Sequence, residues 1–94
     1  MRLLKAEREI ILSTVSRLTP EARIYLFGSR TKDDARGGDI DLLLIGKNIS
    51  RESVRHIKIE LKDKLGDQKI DIIAEDPDDR TNFGKLVEID AVAL

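Results

Sequence analysis

Residues 26–45 read LFGSRTKDDARGGDIDLLLI, and the parsing of this stretch decides the fold. Apolar Leu26 and Phe27 stop at Gly28-Ser29. Nine residues follow, with Arg30, Lys32, Arg36, Asp33 and Asp34 among them, before the chain turns apolar again around Asp39-Ile40-Asp41-Leu42. The pattern predicts strand, glycine turn, polar loop, strand. Leu42-Leu43-Leu44-Ile45 is a continuous apolar run, which suits a strand covered on both faces. Side chains alternate along a strand, so Asp39 and Asp41 project to one side, roughly 7 Å apart. Neighbouring anions repel, and one is driven to protonate unless a cation lies between them. Two readings are therefore open. Asp39 ends a turn and Asp41 is a solvated strand residue, or both are ligands of a metal ion at the mouth of a buried strand. The Gly-Ser turn, spaced so that both features converge on one ligand, favours the second.

On the N-terminal side, Leu4, Ile11, Val15 and Leu18 recur at helical spacing, with Leu3 and Ile10 widening the stripe. Lys5, Glu7, Arg8, Glu9 and Arg17 take the other faces. This predicts an amphipathic helix ending near Thr19-Pro20, where proline stops it. Residues 24–27 form the first strand, with Tyr25 and Phe27 expected on one face as core aromatics. On the C-terminal side, residues 46–48 make a turn and Ser50 caps a second helix. Val54, Ile57, Leu61 and Leu65 give that helix its apolar stripe, and Gly66 stops it. His56, the sole histidine, lies about 100° off the stripe; it reads as a solvated helix position and takes no role.

Residues 69–74, KIDIIA, predict a third strand with Ile70 and Ile72 on one side and Lys69, Asp71 and Ile73 on the other. A carboxylate inside an isoleucine-rich strand needs a reason, because burying an unpaired charge is costly. Asp71 either faces water on an edge strand or converges on Asp39 and Asp41. The run EDPDDRT, residues 75–81, reads as a solvated loop. Its acidic residues lack the glycine and terminal glutamate of a calcium loop. A short helix is expected over 82–89, with Phe83, Leu86 and Val87 apolar. Together with Ile89, Val92 and Leu94 these offer more apolar surface than one short helix needs, so the segment either packs on the sheet or forms an interface.

Gly28-Ser29, nine residues, then Asp39-Ile40-Asp41-Leu42 resembles the signature of the DNA polymerase β-like nucleotidyltransferase superfamily. Within it the chain is most similar to the minimal nucleotidyltransferases, and the resemblance covers nearly the whole sequence. Many members place a glycine in the middle of the linker and a serine before the first aspartate, where this chain has Asp33 or Asp34 and Gly38. The resemblance implies a small mixed β-sheet with helices packed on it, an α/β fold. It implies catalytic and metal-binding roles for Asp39, Asp41 and Asp71, and nucleotide binding by Gly28, Ser29 and Arg30. The chemistry suits those roles. Magnesium prefers oxygen ligands, and paired ions can clamp the attacking and leaving oxygens. Gly28 lets the backbone approach a phosphate, Ser29 offers a hydroxyl and an amide, and Arg30 either neutralises a triphosphate or pairs with Asp33 or Asp34. The implied reaction is transfer of a nucleoside monophosphate, AMP from ATP, to an acceptor hydroxyl with two Mg²⁺ ions. The resemblance further implies an antitoxin paired with a small helical HEPN-domain protein and able to adenylylate it. The alternative is a non-catalytic module that neutralises a partner by contact alone.

Composition bounds these readings. Ninety-four residues give room for a single domain, 1–94, with one modest core. The net charge of −1 gives no global basic surface for nucleic acid. With no cysteine there is no disulfide, thiol nucleophile or thiolate metal site. No apolar run reaches the length of a membrane span, and the N-terminus lacks a signal peptide's apolar core, so a cytoplasmic location is expected. No P-loop and no glycine-rich dinucleotide fingerprint is present.

Overall fold

A computed structural model describes residues 3–28, 39–66 and 68–94. In chain order the elements are α1 (Lys5–Leu18), β1 (Arg23–Phe27), β2 (Ile40–Ile45), α2 (Arg51–Leu65), β3 (Ile70–Glu75), α3 (Asn82–Ile89) and β4 (Val92–Ala93). The strands form one sheet in the order β3-β2-β1-β4. β1 runs antiparallel to β2 and to β4, whereas β2 and β3 are parallel and joined through α2. The expected mixed sheet with packed helices is the fold.

Local chemistry sets the helix ends. The Leu4 amide donates to Glu7 Oε1 at 3.0 Å and so satisfies an orphan donor at the start of α1. At its other end the Thr19 amide and hydroxyl both donate to the Val15 carbonyl, at 2.7 and 2.9 Å, just before Pro20. Ser50 caps α2 by accepting from the Ser53 amide at 3.0 Å. Gly66 ends α2 with φ +83°, a backbone conformation that glycine adopts without strain. α1 and α2 are also joined by charge, because Glu60 accepts from both Arg17 and Lys64. The Arg17 hydrogen bond is the main reason that the Glu60 pKa falls to about 2.

The main core lies between one face of the sheet and the stripes of α1 and α2. Ile11, Val15, Ile57 and Leu61 pack there on Ile24, Leu26, Ile40, Leu42, Leu44 and Ile70. β2 is the central strand, and Leu42, Leu43, Leu44 and Ile45 are all essentially buried. Each contributes about 1.5–3 kcal/mol as an upper estimate. A one-residue slip of β2 would exchange Leu42 for Asp41 in the core, so this burial fixes the register.

Three cross-strand rows occupy the opposite face: Phe27–Asp41–Asp71, Tyr25–Leu43–Ile73 and Arg23–Ile45–Glu75. Tyr25 and Phe27 do share a face, as expected, but it is this one. They are partly buried and stand outside the main core cluster. α3 contacts β1 and covers the end of this face near Glu75.

The run 75–81 departs from the expected solvated loop at its first residue. Glu75 belongs to β3 and is buried. It accepts from Arg80 Nε at 2.5 Å, from the Thr81 amide at 3.2 Å and from the Thr81 hydroxyl. That hydroxyl in turn accepts from the Gly84 amide at 2.9 Å, capping α3. Burial opposes ionisation of Glu75, but the Thr81 and Arg80 hydrogen bonds outweigh it and hold its pKa below the ordinary carboxylate value. Arg80 also faces Glu88 at 2.7 Å. An ionised group is thus buried because three donors converge on it. β4 was not expected from sequence.

Candidate active site

The ends of three strands meet where β1 stops and β2 and β3 begin. Asp41 is the register partner of Phe27 on one side and of Asp71 on the other. The Ile40 amide donates to the Lys69 carbonyl at 2.9 Å, which carries the pairing one step further and sets Lys69 beside Asp39. Alternation then puts residues 39 and 41 of one strand line and 69 and 71 of the next on the same face. Four neighbouring positions hold three carboxylates and one ammonium.

Electrostatics follow from this crowding. Asp41 has its pKa raised, first by burial and then by the charges of Asp71 and Asp39. The Asp71 carboxyl also lies within hydrogen-bonding reach of Asp41, so one proton or one cation between them is favoured. Lys69 opposes the shift. Its Nζ stands 3.9 Å from Asp39 Oδ2 and 3.9 Å from Asp71 Oδ2.

Gly28 closes the other side of Asp41. Its φ of +79° lies in the left-handed region, and a Cβ there would stand 2.3 Å from Asp41 Oδ2. Only glycine allows the turn after β1 to pass this close to the carboxylate. Gly28, Asp39, Asp41 and Asp71 are therefore brought together, while Ser29 and Arg30 lie outside the described residues, as do Lys32, Asp33, Asp34, Arg36 and Gly38. His56 is half exposed on α2, 3.9 Å from Glu52, and belongs to no site described here. Sequence reasoning placed Lys69 on the right face but assigned it no part in the site. Its alternation with Asp71 was the available signal.

The donor set is entirely hard oxygen, which matches magnesium better than softer metals. Among the described residues no three acidic or histidine side chains are drawn to one point as they stand. The fit therefore rests on donor chemistry and on the Asp41–Asp71 pair, with Lys69 equally distant from Asp39 and Asp71.

The fold is an α/β domain with a mixed sheet, two helices on one face and three aspartates near a glycine turn. The family model for polymerase beta, nucleotidyltransferase, matches residues 9–89, and the chain belongs to that family. Among solved structures, the chain is similar to a mutant form of the toxin–antitoxin MntA–HpeT, with a TM-score of 0.70 and 19% identity over 97% of this chain and 71% of the other. A second mutant of the same toxin–antitoxin, in which two aspartates are changed to glutamate, matches with a TM-score of 0.59 and 21% identity. That match covers 72% of this chain and 55% of the other, so the chain spans about half of that structure's length. At these identities the likeness is one of fold. No curated protein sequence gives a significant match.

Proposed function

We propose that this nucleotidyltransferase domain transfers AMP from ATP to an acceptor hydroxyl on a partner protein, breaking the α–β phosphoanhydride bond and releasing pyrophosphate, with magnesium bound by Asp39, Asp41 and Asp71. The observation that carries the reading is the cross-strand pairing of Asp41 with Asp71 beside Gly28. Two carboxylates held that close are poised for a shared cation. Bound there, magnesium would polarise phosphoryl oxygens and offset the charge of the triphosphate. Asp39 and Asp41 would hold it beside the nucleotide. Asp71 supports the acceptor side and takes the proton of the attacking hydroxyl. Gly28 leaves the backbone open to a phosphate, and Ser29 and Arg30 would bind the same nucleotide.

The acceptor is proposed to be a side chain of a small helical HEPN-type protein, the chain acting as the antitoxin of the pair. The likeness to toxin–antitoxin structures supports this, and so does the surface of α3, where Phe83, Leu86 and Ile89 are exposed. Leu94, by contrast, packs on the core.

A second reading, neutralisation of a partner by contact alone, draws support from Lys69, which already compensates two of the three carboxylates without a metal. Thermal stability separates the two. Magnesium and ATP together should stabilise the wild-type chain more than either alone; a ligand at a hundredfold excess over its dissociation constant stabilises by about 2.7 kcal/mol. Asp39→Asn should remove the synergy and leave the fold intact. Equal shifts in both proteins would favour contact alone.

A further inference from the structure

The carboxylate cluster contains its own cation. Lys69 immediately precedes β3, and its carbonyl is tied to the Ile40 amide, so its position beside Asp39 is set by the sheet. Its Nζ is equidistant from Asp39 and Asp71, at 3.9 Å from each. That separation exceeds the 2.7–3.2 Å typical of a direct N–H···O hydrogen bond. Charge, more than directional bonding, therefore holds the ammonium there. The Lys69 side chain is 65% exposed, so it can swing into water at little cost in contacts.

We propose that Lys69 is the resident counter-ion of this cluster, which a divalent metal must displace, so that it sets the metal affinity of the site. The inference rests on the metal-binding reading above. The ammonium and the metal seek the same carboxylate oxygens. Magnesium carries twice the charge and approaches its oxygen ligands at about 2.0–2.1 Å, so it takes the carboxylates fully where the lysine only neighbours them. Two ligands that exclude one another must weaken each other equally. Lys69 therefore relieves repulsion in the metal-free protein and raises the metal concentration needed to fill the site. It is a positioning residue that touches the ligands, without a share in the chemical step.

The test is a calorimetric titration with Mn²⁺, alongside melting in metal-free buffer of fixed low ionic strength. Wild type is compared with Lys69→Met, Lys69→Gln and Lys69→Arg, and with Lys62→Met on the last turn of α2 as a remote charge control. Both neutral variants should melt lower than wild type without metal and bind Mn²⁺ at least about fivefold tighter, the lower end of typical coupling between sites. Lys69→Arg should stay near wild type, and Lys62→Met should change neither quantity. Wild type that binds Mn²⁺ no more weakly than the neutral variants would overturn the displacement while leaving the metal site standing. No Mn²⁺ binding by wild type or by either neutral variant would overturn the metal-binding reading itself, and this inference with it.

Discussion

Gly28 and Asp41 are packed so closely that a single methyl group on the glycine would stand 2.3 Å from a carboxylate oxygen of the aspartate. The turn after β1 and the head of β2 are thus shaped to each other. Gly28→Ala should cost about 1–2 kcal/mol for the left-handed backbone alone, and more for the clash. Because the clash needs the carboxylate, the double variant with Asp41→Ala should be less destabilised than the sum of the single changes. Denaturant melts of the four proteins measure this directly, and strict additivity would contradict the contact.

Asp41 should be a stability liability in the metal-free protein. Its folded pKa is raised by burial and by its acidic neighbours, so the folded state holds that proton more tightly than the unfolded chain. Its contribution to stability then falls as pH rises from about 3.9, the unfolded aspartate value, through the raised folded value, and stays lost above it. Asp41→Asn should accordingly stabilise the metal-free chain at neutral pH by up to about 1 kcal/mol, the scale of relieving like-charge neighbours in a sheet. The same variant should lose metal-dependent stabilisation. Thermal melts with and without magnesium read both effects.

Glu75 behaves in the opposite sense. Its pKa is lowered in the folded state, so its contribution is present above about 4.3, the unfolded glutamate value, and declines as pH falls through the folded value. Glu75→Gln should destabilise the chain at neutral pH, because Arg80 keeps Glu88 but loses its buried carboxylate partner. Much of the acid sensitivity below that value should disappear with it. Melting across an acid pH series checks both claims.

Gly84→Ala tests how α3 is seated. In an exposed helix interior the change gains about 1 kcal/mol. Here a Cβ would come within 2.0–2.1 Å of the Glu75 carboxylate, so the substitution should destabilise. A gain in melting temperature would mean that α3 does not rest on Glu75.

How far the sequence foretold this structure differs between residues for physical reasons. The alternation around Asp39, Asp41 and Asp71 and the unbroken run Leu42–Ile45 are period-two signals of a strand, and they pointed to the right face. The stops at Pro20 and Gly66 are local backbone chemistry, so the ends of α1 and α2 were equally legible. Glu75 was not, because it opens an acidic run and owes its burial to Arg80, Thr81 and the backbone of Gly84, contacts that only folding brings together. β4 is two residues long, too short to carry a periodicity. The pairing of Lys69 with Asp39 depends on the parallel register of β2 and β3, which no local pattern encodes. The family resemblance implied a shared role for the aspartates as a set; the residues alone left Asp71 divided between an edge strand and the site.

Within the proposed reaction Asp71 should separate chemistry from binding. Asp71→Asn should leave ATP affinity nearly unchanged while transfer falls by at least about a hundredfold, the lower scale of a general-base contribution. Single-turnover rates beside equilibrium nucleotide binding make the comparison. An unchanged transfer rate would return Asp71 to the role of an edge-strand carboxylate.

Nucleotidyl transfer to a partner protein, driven by the aspartate triplet, is the proposed activity. Its most direct test is the intact mass of a HEPN-type partner after co-expression with this chain and incubation with magnesium and ATP. The partner should gain the mass of one or more AMP groups with the wild-type chain and none with Asp41→Asn. A partner that binds stably yet keeps its unmodified mass with the wild-type chain would contradict it.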